Sequence, residues 1–374
     1  MRTCFLRTWS VGWLWLAGAG WLSGQLLDYD SRTEPGPHEF GWEDRYGTVA
    51  IYGDAEFRIS GGFFGGLGLY GSARGVVWQG DFGSIGTRDN SSLLVFDAVV
   101  PYLSVSGQSY VEVYHASGPR WNQAIAAAGS LLRLRGGHFD RVYTWPPPGG
   151  RIELGPNADA GEVTAHDGGV ILQRGGRSES VSAASTGVAV LDGGQATSFM
   201  TASDESTMVI AGGVPPSENI RLFGRARVFI FHDMLAVNGT QRTETRLEIR
   251  GAEFDEPGYN EFFDGLRVFA SLDGMGASMV LSAWNRAGEE WSGSVVGVRI
   301  QAGLHLEVLD AARTALLAFR VQSSEAAQIE SSSDLQTWRQ IGEPVVGTGG
   351  VHVEVAPMQG AEAQYFRLRR WFRP

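Results

Sequence analysis

The 374-residue chain holds 30 basic and 41 acidic residues, a formal charge of -11, which does not fit nucleic-acid binding by phosphate neutralisation. All the basic residues are arginine, so Schiff-base and lysine-base chemistry are excluded, and any catalytic base is His, a carboxylate, Tyr or Arg. The single cysteine, Cys4, sits in the apolar leader, which excludes disulfides, thiolate metal sites and a Cys nucleophile from the mature chain.

Residues 1–24 read as an export signal. Arg2 and Arg7 give a positive start, 9–22 are apolar but too short for a membrane span, and Ala17 and Ala19 form a small-x-small cleavage pattern, with Gly24 as a second site. An uncleaved anchor is the alternative. Residues 25–46 are polar, contain two prolines and lack the phrase that follows. They are expected to cover the open strand edges of the first repeat as a lead-in or cap.

Residues 47–238 repeat. YGDAEFRISGGFFG from Tyr52 and YGSARGVVWQGDFG from Tyr70 match at Tyr52/Tyr70, Ala55/Ala73, Gly62/Gly80 and Phe64/Phe82, an offset of 18. DNSSLLVF from Asp89 and GQSYVEVY from Gly107 keep that offset, and later copies follow at 18 to 20. A repeat this short, built on one V-x-V phrase with 52 glycines in the chain, predicts a single-stranded parallel β-solenoid. Alternation points Phe57/Ile59, Val77, Leu93/Val95, Val111/Val113, Leu132/Leu134, Ile152/Leu154, Val170/Leu172, Val188/Val190, Met208/Ile210 and Val228/Ile230 inward. Arg58/Ser60, Glu112 and Arg133/Arg135 point outward. Ten or so coils at about 4.8 Å make a rod of roughly 50 Å. A six-residue spacing links Leu93, Val99, Val105 and Val111, as in a left-handed hexapeptide helix. The same step from Val170 meets Gly176 and Ser182, which favours a right-handed helix. The three prolines within Trp145–Gly150 cannot donate to a ladder and predict a protruding turn.

Over residues 239–309 the phrase is lost, and QRTETRLEIRGAEF, LRVFASLDG, GASMVLSAW and SGSVVGVRI alternate like antiparallel strands that cap the last coil. Residues 313–374 form a separate, β-sandwich-like module of about four strands. Trp338 and Tyr365/Phe366 are its expected core aromatics, and Arg367, Arg369, Arg370 and Arg373 make its end basic.

Two stretches resemble bacterial families. STGVAVLDGG (185–194) and ESTMVIAGG (205–213) resemble the Gly-rich β-helix repeats of exported proteins that end in a PEP-CTERM tag or an autotransporter barrel. IESSSDLQTWRQIG, with GGVHVEV and QYFRLR, is similar to a short module at the ends of exported proteins of Verrucomicrobia and Planctomycetes. Here no apolar span follows Arg313, and neither resemblance implies a catalytic residue. Both imply export.

Trp78, Phe96 and Tyr114 stand 18 apart at outward positions. They form a candidate ladder for stacking sugar rings, unless the cap or the insertion at 117–128 covers them. Phe229 and Phe231 are also outward, beside the cap. Gln79, Asp97 and His115 make a neighbouring column, and Asp97 with His115 is the one candidate acid/base pair in register. A solvated polar column is the favoured reading of it. His138/Asp140, His166/Asp167 and His232/Asp233 are local pairs with no spacing that enforces convergence on a metal, and no cofactor motif is present. The expected protein is an exported, noncatalytic structural or adhesive solenoid of the cell surface or matrix. It would offer a side face to a polysaccharide or cell-envelope component. A β-helix polysaccharide lyase or hydrolase is the alternative. Nothing in the sequence bears on oligomeric state.

Overall fold

The computed structural model describes residues 26–30, 37–117, 122–127, 129–145, 149–217, 219–250, 265–272, 275–284, 292–300, 303–309, 313–347, 349–358 and 364–372. The expected export signal, the three prolines at 146–148 and part of the 117–128 insertion lie outside them. Every element among the described residues is a strand, and most stack in parallel into a solenoid of about ten coils.

Each coil contributes to three faces. Face I stacks Glu56–Ile59, Arg74–Val77, Ser92–Val95 and Tyr110–Val113, then 131–134, 151–154, Val170–Gln173, Val188–Leu191, Thr207–Ile210, Arg227–His232 and Ser294–Arg299. Face II is short, built from pairs such as Phe63/Phe64 on Asp81/Phe82. Face III stacks Arg45–Tyr52, Phe63–Leu69, Ile85–Thr87, Tyr102–Val105 and Gln123–Ala126, and continues to Met275–Trp284. The lead-in forms a coil of its own: Leu26–Asp30 pairs in parallel with 48–52, and His38–Phe40 with 57–59.

The corner before face I accepts only small residues. Ala55, Ala73, Ser91, Ser109, Ser130, Ser206 and Ala226 are buried there. Gly169 and Gly187 take the same place because a Cβ at Gly187 would fall 2.3 Å from the carbonyl oxygen of Ala165. The serine hydroxyls are satisfied locally, Ser130 donating to Val105 O at 2.9 Å and Ser206 to Ala183 O at 3.0 Å.

The register corrects two of the inward pairs. Ile152 pairs with Ile171, and Ile171 with Ala189, so Ile171, Ala189 and Leu191 point inward while Val170, Leu172, Val188 and Val190 point outward. All four positions from Val170 to Gln173 are buried, which erases the alternation. The fourth inward place is held by Gln173, fully buried, whose amide donates to Gln195 O at 3.2 Å and accepts from Ser178 at 2.9 Å.

In the cap, Met234–Val237 turns through Asn238 (φ 46°) and Gly239 (φ 78°) into antiparallel Thr240–Arg242, the two positive φ values of a tight hairpin. Gly265–Leu272 pairs antiparallel with Met234–Val237 and with Met275–Trp284, and Arg246–Arg250 with Ser294–Arg299. Met275–Trp284 and Ser294–Arg299 themselves continue the parallel stacks, so the cap includes one further coil closed by antiparallel strands.

The C-terminal module is two antiparallel sheets. The inner one is Leu304–Leu309, Thr314–Arg320 and Val351–Pro357, and the outer one Arg339–Val346, Glu325–Ser332 and Tyr365–Phe372. Its core aromatic is Phe319, 1% exposed. The expected core aromatics sit elsewhere: Tyr365 is exposed, Phe366 packs at the core margin, and the Trp338 ring lies 4.0 Å from the guanidinium of Arg367. The Ser332-x-Asp334-Leu335 turn has a local cause. Asp334 accepts from the backbone of Thr337 at 2.7 Å and Gln336 at 2.8 Å, which hold its carboxyl down to about 2, and Leu335 N donates to Ser332 with Leu335 at φ 62°. Arg367 and Arg370 pair with Glu330 and Glu325, so most of the basic end is neutralised within the module.

Gly75 occupies an inward place on face I, and the ring of Phe57 from the preceding coil fills the volume a side chain would take: a Cβ at Gly75 would lie within 2.0 Å of Phe57 Cζ and Cε1. Gly75→Val is therefore expected to lower stability by about 1–3 kcal/mol in urea unfolding. Combined with Phe57→Val, it should cost less than the sum of the two single changes. Simple additivity would refute the compensation.

Candidate functional site

The outward residues of face I form a grid three columns wide, and its chemistry changes along the axis. The N-terminal rows are Glu56-Arg58-Ser60, Arg74-Val76-Trp78, Ser92-Leu94-Phe96 and Tyr110-Glu112-Tyr114. Charged rows follow, Leu131-Arg133-Arg135 and Arg151-Glu153. Beyond them the face turns apolar, with Val170, Leu172, Val188, Val190, Val209, Phe229 and Phe231.

The C-terminal module covers this apolar part. Leu316, Ala318, Val351, Val353 and Val355 of its inner sheet share one buried cluster with those solenoid residues, while Ala315, Leu317 and Phe319 on the opposite face pack against the outer sheet. Phe229 and Phe231 are thus buried, and the cover is shared by the module and by Val296 and Val298 of the further coil. A charged margin closes the contact. Glu343 meets Arg133 at 2.6 Å and Arg135 at 2.7 Å, Glu354 pairs with Arg151 and Arg174, and Val353 N donates to Asp192 at 3.2 Å. Burial would raise the Glu153 carboxyl, but Arg151, Arg174 and Arg133 outweigh it and hold it at about 2. Beside this margin, burial and then the hydrogen bond to Glu112 push the Tyr110 hydroxyl up to about 12.

The module stops short of the ladder. Trp78 and Tyr114 are 50% and 45% exposed, and Phe96 is half-buried between them. The rings stack on one another, with centroids 4.3 Å apart and planes at 13° for Trp78/Phe96, and 4.9 Å and 6° for Phe96/Tyr114. Phe96 has both ring faces covered, and Trp78 and Tyr114 have one each, so along the ladder mostly ring edges meet solvent. In the next column His115 Nε2 lies 4.0 Å from Asp97 Oδ1, beyond hydrogen-bond reach, with both side chains more than half exposed. Gln79 stands beside Asp97 in a cleft of about 460 Å³ that also takes in Trp42 and Phe63. Sequence reasoning missed Trp42 because it lies outside the repeat phrase, in the lead-in.

Of the other pairs, His138 sits between two carboxylates, 3.4 Å from Asp140 and 3.2 Å from Asp159 of the next coil. His166 and Asp167 form no ion pair with one another. His232 is buried with neither ring nitrogen hydrogen-bonded, while Asp233 pairs with Arg320 of the module. Among the described residues no group of three or more His, Cys, Asp or Glu could hold a metal, and no helix is long and apolar enough to cross a membrane. Comparison with protein-family models, with curated proteins and with solved structures gives no match.

Two consequences of this burial and ion pairing can be measured. Burial, then Arg299, lowers the imidazole of His232 to about 4, and burial, then Arg174, does the same to His352, with Asp233 and Asp192 as the nearby carboxylates. The unfolded chain binds more protons between the ordinary value near 6.5 and 4. Stability is therefore full above about pH 6.5 and falls as pH drops to 4, by on the order of 3 kcal/mol for each histidine. Urea midpoints at pH 7.5 and 4.5 test this, and equal midpoints would refute it. Glu354→Gln leaves the buried guanidinium groups of Arg151 and Arg174 without that carboxylate and is expected to cost about 3–5 kcal/mol. The module should then become the first segment cut in limited proteolysis.

Proposed function

We propose that the chain is an exported, noncatalytic structural or adhesive protein, and that the open end of face I engages a polysaccharide or another cell-envelope component. A β-solenoid fold is compatible with a structural or adhesive role. The observation that carries the reading is the contrast along one face: its apolar rows are covered by the chain's own module, whereas the aromatic rows at Trp78, Phe96 and Tyr114 remain exposed. A contiguous exposed aromatic surface on a folded chain marks an interaction site. Export rests on the leader-like residues 1–24 and on the two resemblances, which support a place among exported bacterial repeat proteins.

The catalytic alternative needs several acidic groups converging with a base, and Asp97 and His115 are the candidates in register. Native electrophoresis of the full chain through gels cast with polysaccharides separates the readings. Retardation without clearing of the glycan is expected, and Trp78→Ala should weaken it. Clearing would replace binding with cleavage, and free migration in every gel would leave a structural or protein-binding role.

A further inference from the structure

We infer that the glycan is gripped by the cleft between faces I and II rather than by the stacked ladder, and that the cleft takes one pyranose unit of a polysaccharide without anionic groups. This inference rests on the polysaccharide reading above and names its subsite and ligand class.

Packing of a sugar on an aromatic residue requires an open ring face. The ladder offers no run of open faces, because Trp78, Phe96 and Tyr114 lie face to face at 4.3 and 4.9 Å and only the outer faces of the two end rings are left by that stacking. Trp42 has an open face. A Cβ at Gly61 would fall within 2.7 Å of three indole carbons, Cδ2, Cε3 and Cε2, so the ring lies flat on the Gly61 backbone and turns its other face outward. It is 67% exposed, among the most exposed of the large apolar residues. An indole this exposed would ordinarily be mobile, yet its turn is fixed: Asp44 N donates to Gly41 O at 3.2 Å, and Gly41 N donates to Asp44 Oδ2 at 2.6 Å. The Asp44 carbonyl in turn accepts from Phe63 N at 2.9 Å, which ties the turn to face II. The platform is preorganised.

The polar lining points to the same ligand. Arg45, Phe63 and Asp81 stand in one column across three coils, and Gln79 and Asp97 line the cleft beside them. Among the described residues, the side chains of Arg45, Gln79 and Asp81 have no hydrogen-bond or ionic partner. The one pairing of Asp97 is the 4.0 Å approach to His115. Carboxylates accept from sugar hydroxyls, a guanidinium donates to them, and an amide does both. The cleft thus supplies, next to an apolar ring, the alternation of donors and acceptors that a hexose presents around its rim. Its volume of about 460 Å³ falls in the range of small-molecule sites, roughly 300–1,000 Å³. Charge narrows the class. Two aspartates against one arginine, in a chain of formal charge -11, disfavour uronates and sulfated glycans.

The test is affinity electrophoresis of the full chain in gels containing hydroxyethyl cellulose, soluble starch or galactomannan, with polygalacturonate and alginate as the charged comparison. Retardation in at least one neutral gel and not in the anionic ones is expected. Trp42→Ala should weaken it by at least about tenfold, the equivalent of 1.4 kcal/mol. Asp81→Asn, which keeps the shape of the cleft, should weaken it by roughly the same factor through one lost charged acceptor. Trp78→Ala should have a smaller effect than either, and unchanged urea midpoints would show that all three variants are folded. Loss of retardation in Trp78→Ala but not in Trp42→Ala or Asp81→Asn would overturn the cleft assignment while the polysaccharide reading stood. Retardation confined to the anionic gels would overturn the ligand class, and free migration of the unaltered chain in every gel would remove both the cleft assignment and the reading beneath it.

Discussion

Parallel hydrogen bonding from one coil to the next governs this molecule. It places each residue about 4.8 Å above its counterpart, so every column must be filled by side chains that tolerate stacking on their own kind. The chain meets that constraint in several ways. Aromatic residues stack, as in Tyr52 on Tyr70, with centroids 4.8 Å apart, and Phe64 on Phe82, at 5.0 Å. Small residues fill the tight corner, where serine hydroxyls find carbonyl oxygens. Charges alternate in sign, with Glu153 set against Arg133 and Arg151. A large residue can borrow space from a glycine in the next coil, as Phe57 does from Gly75 and, on the surface, Trp42 from Gly61.

The same constraint gives the solenoid long uniform faces, and face I shows their cost. A run of outward Val, Leu and Phe would be exposed apolar surface along much of one side. The C-terminal module removes it. Its inner sheet is buried on both faces, which is why Thr314–Arg320 reads TALLAFR, with six of its positions buried in succession and no alternation. The contact is fixed by Arg–Glu pairs at the margin of an apolar patch, and Glu354 serves two arginines from different coils. What the module leaves uncovered is the end of the face where aromatic residues and the polar cleft lie together. A solenoid that covers part of a face with its own chain and leaves the rest open has its accessible surface on that face set by where the cover ends.

How much was legible beforehand follows from the same physics. The offset of 18, the inward places of Phe57, Ile59, Leu93 and Val95, and the outward stacking of Trp78, Phe96 and Tyr114 could be read directly, because in these coils one side is core and the other solvent, and alternation survives. At Val170/Leu172 and Val188/Val190 alone the alternation is out of phase by one, while Met208/Ile210 and Val228/Ile230 point inward as expected. Both sides are buried there, one by the solenoid core and one by the module, and four apolar residues in a row carry no phase. A buried Gln173 in an inward place compounded the slip.

By itself, the sequence determined the repeat, the all-β class, the turn residues and the presence of a distinct C-terminal unit, because these depend on short-range period, on the conformational freedom of Gly and Asn, and on local hydrogen bonds such as those at Asp334. Only the tertiary structure decided which outward residues reach solvent, where the module docks, that the facing ring surfaces of the ladder are taken up by one another, and that Trp42 joins Asp81 and Asp97 around one cleft. Those outcomes depend on residues 18 to about 200 positions apart, such as Arg151 and Glu354, whose proximity no local pattern encodes.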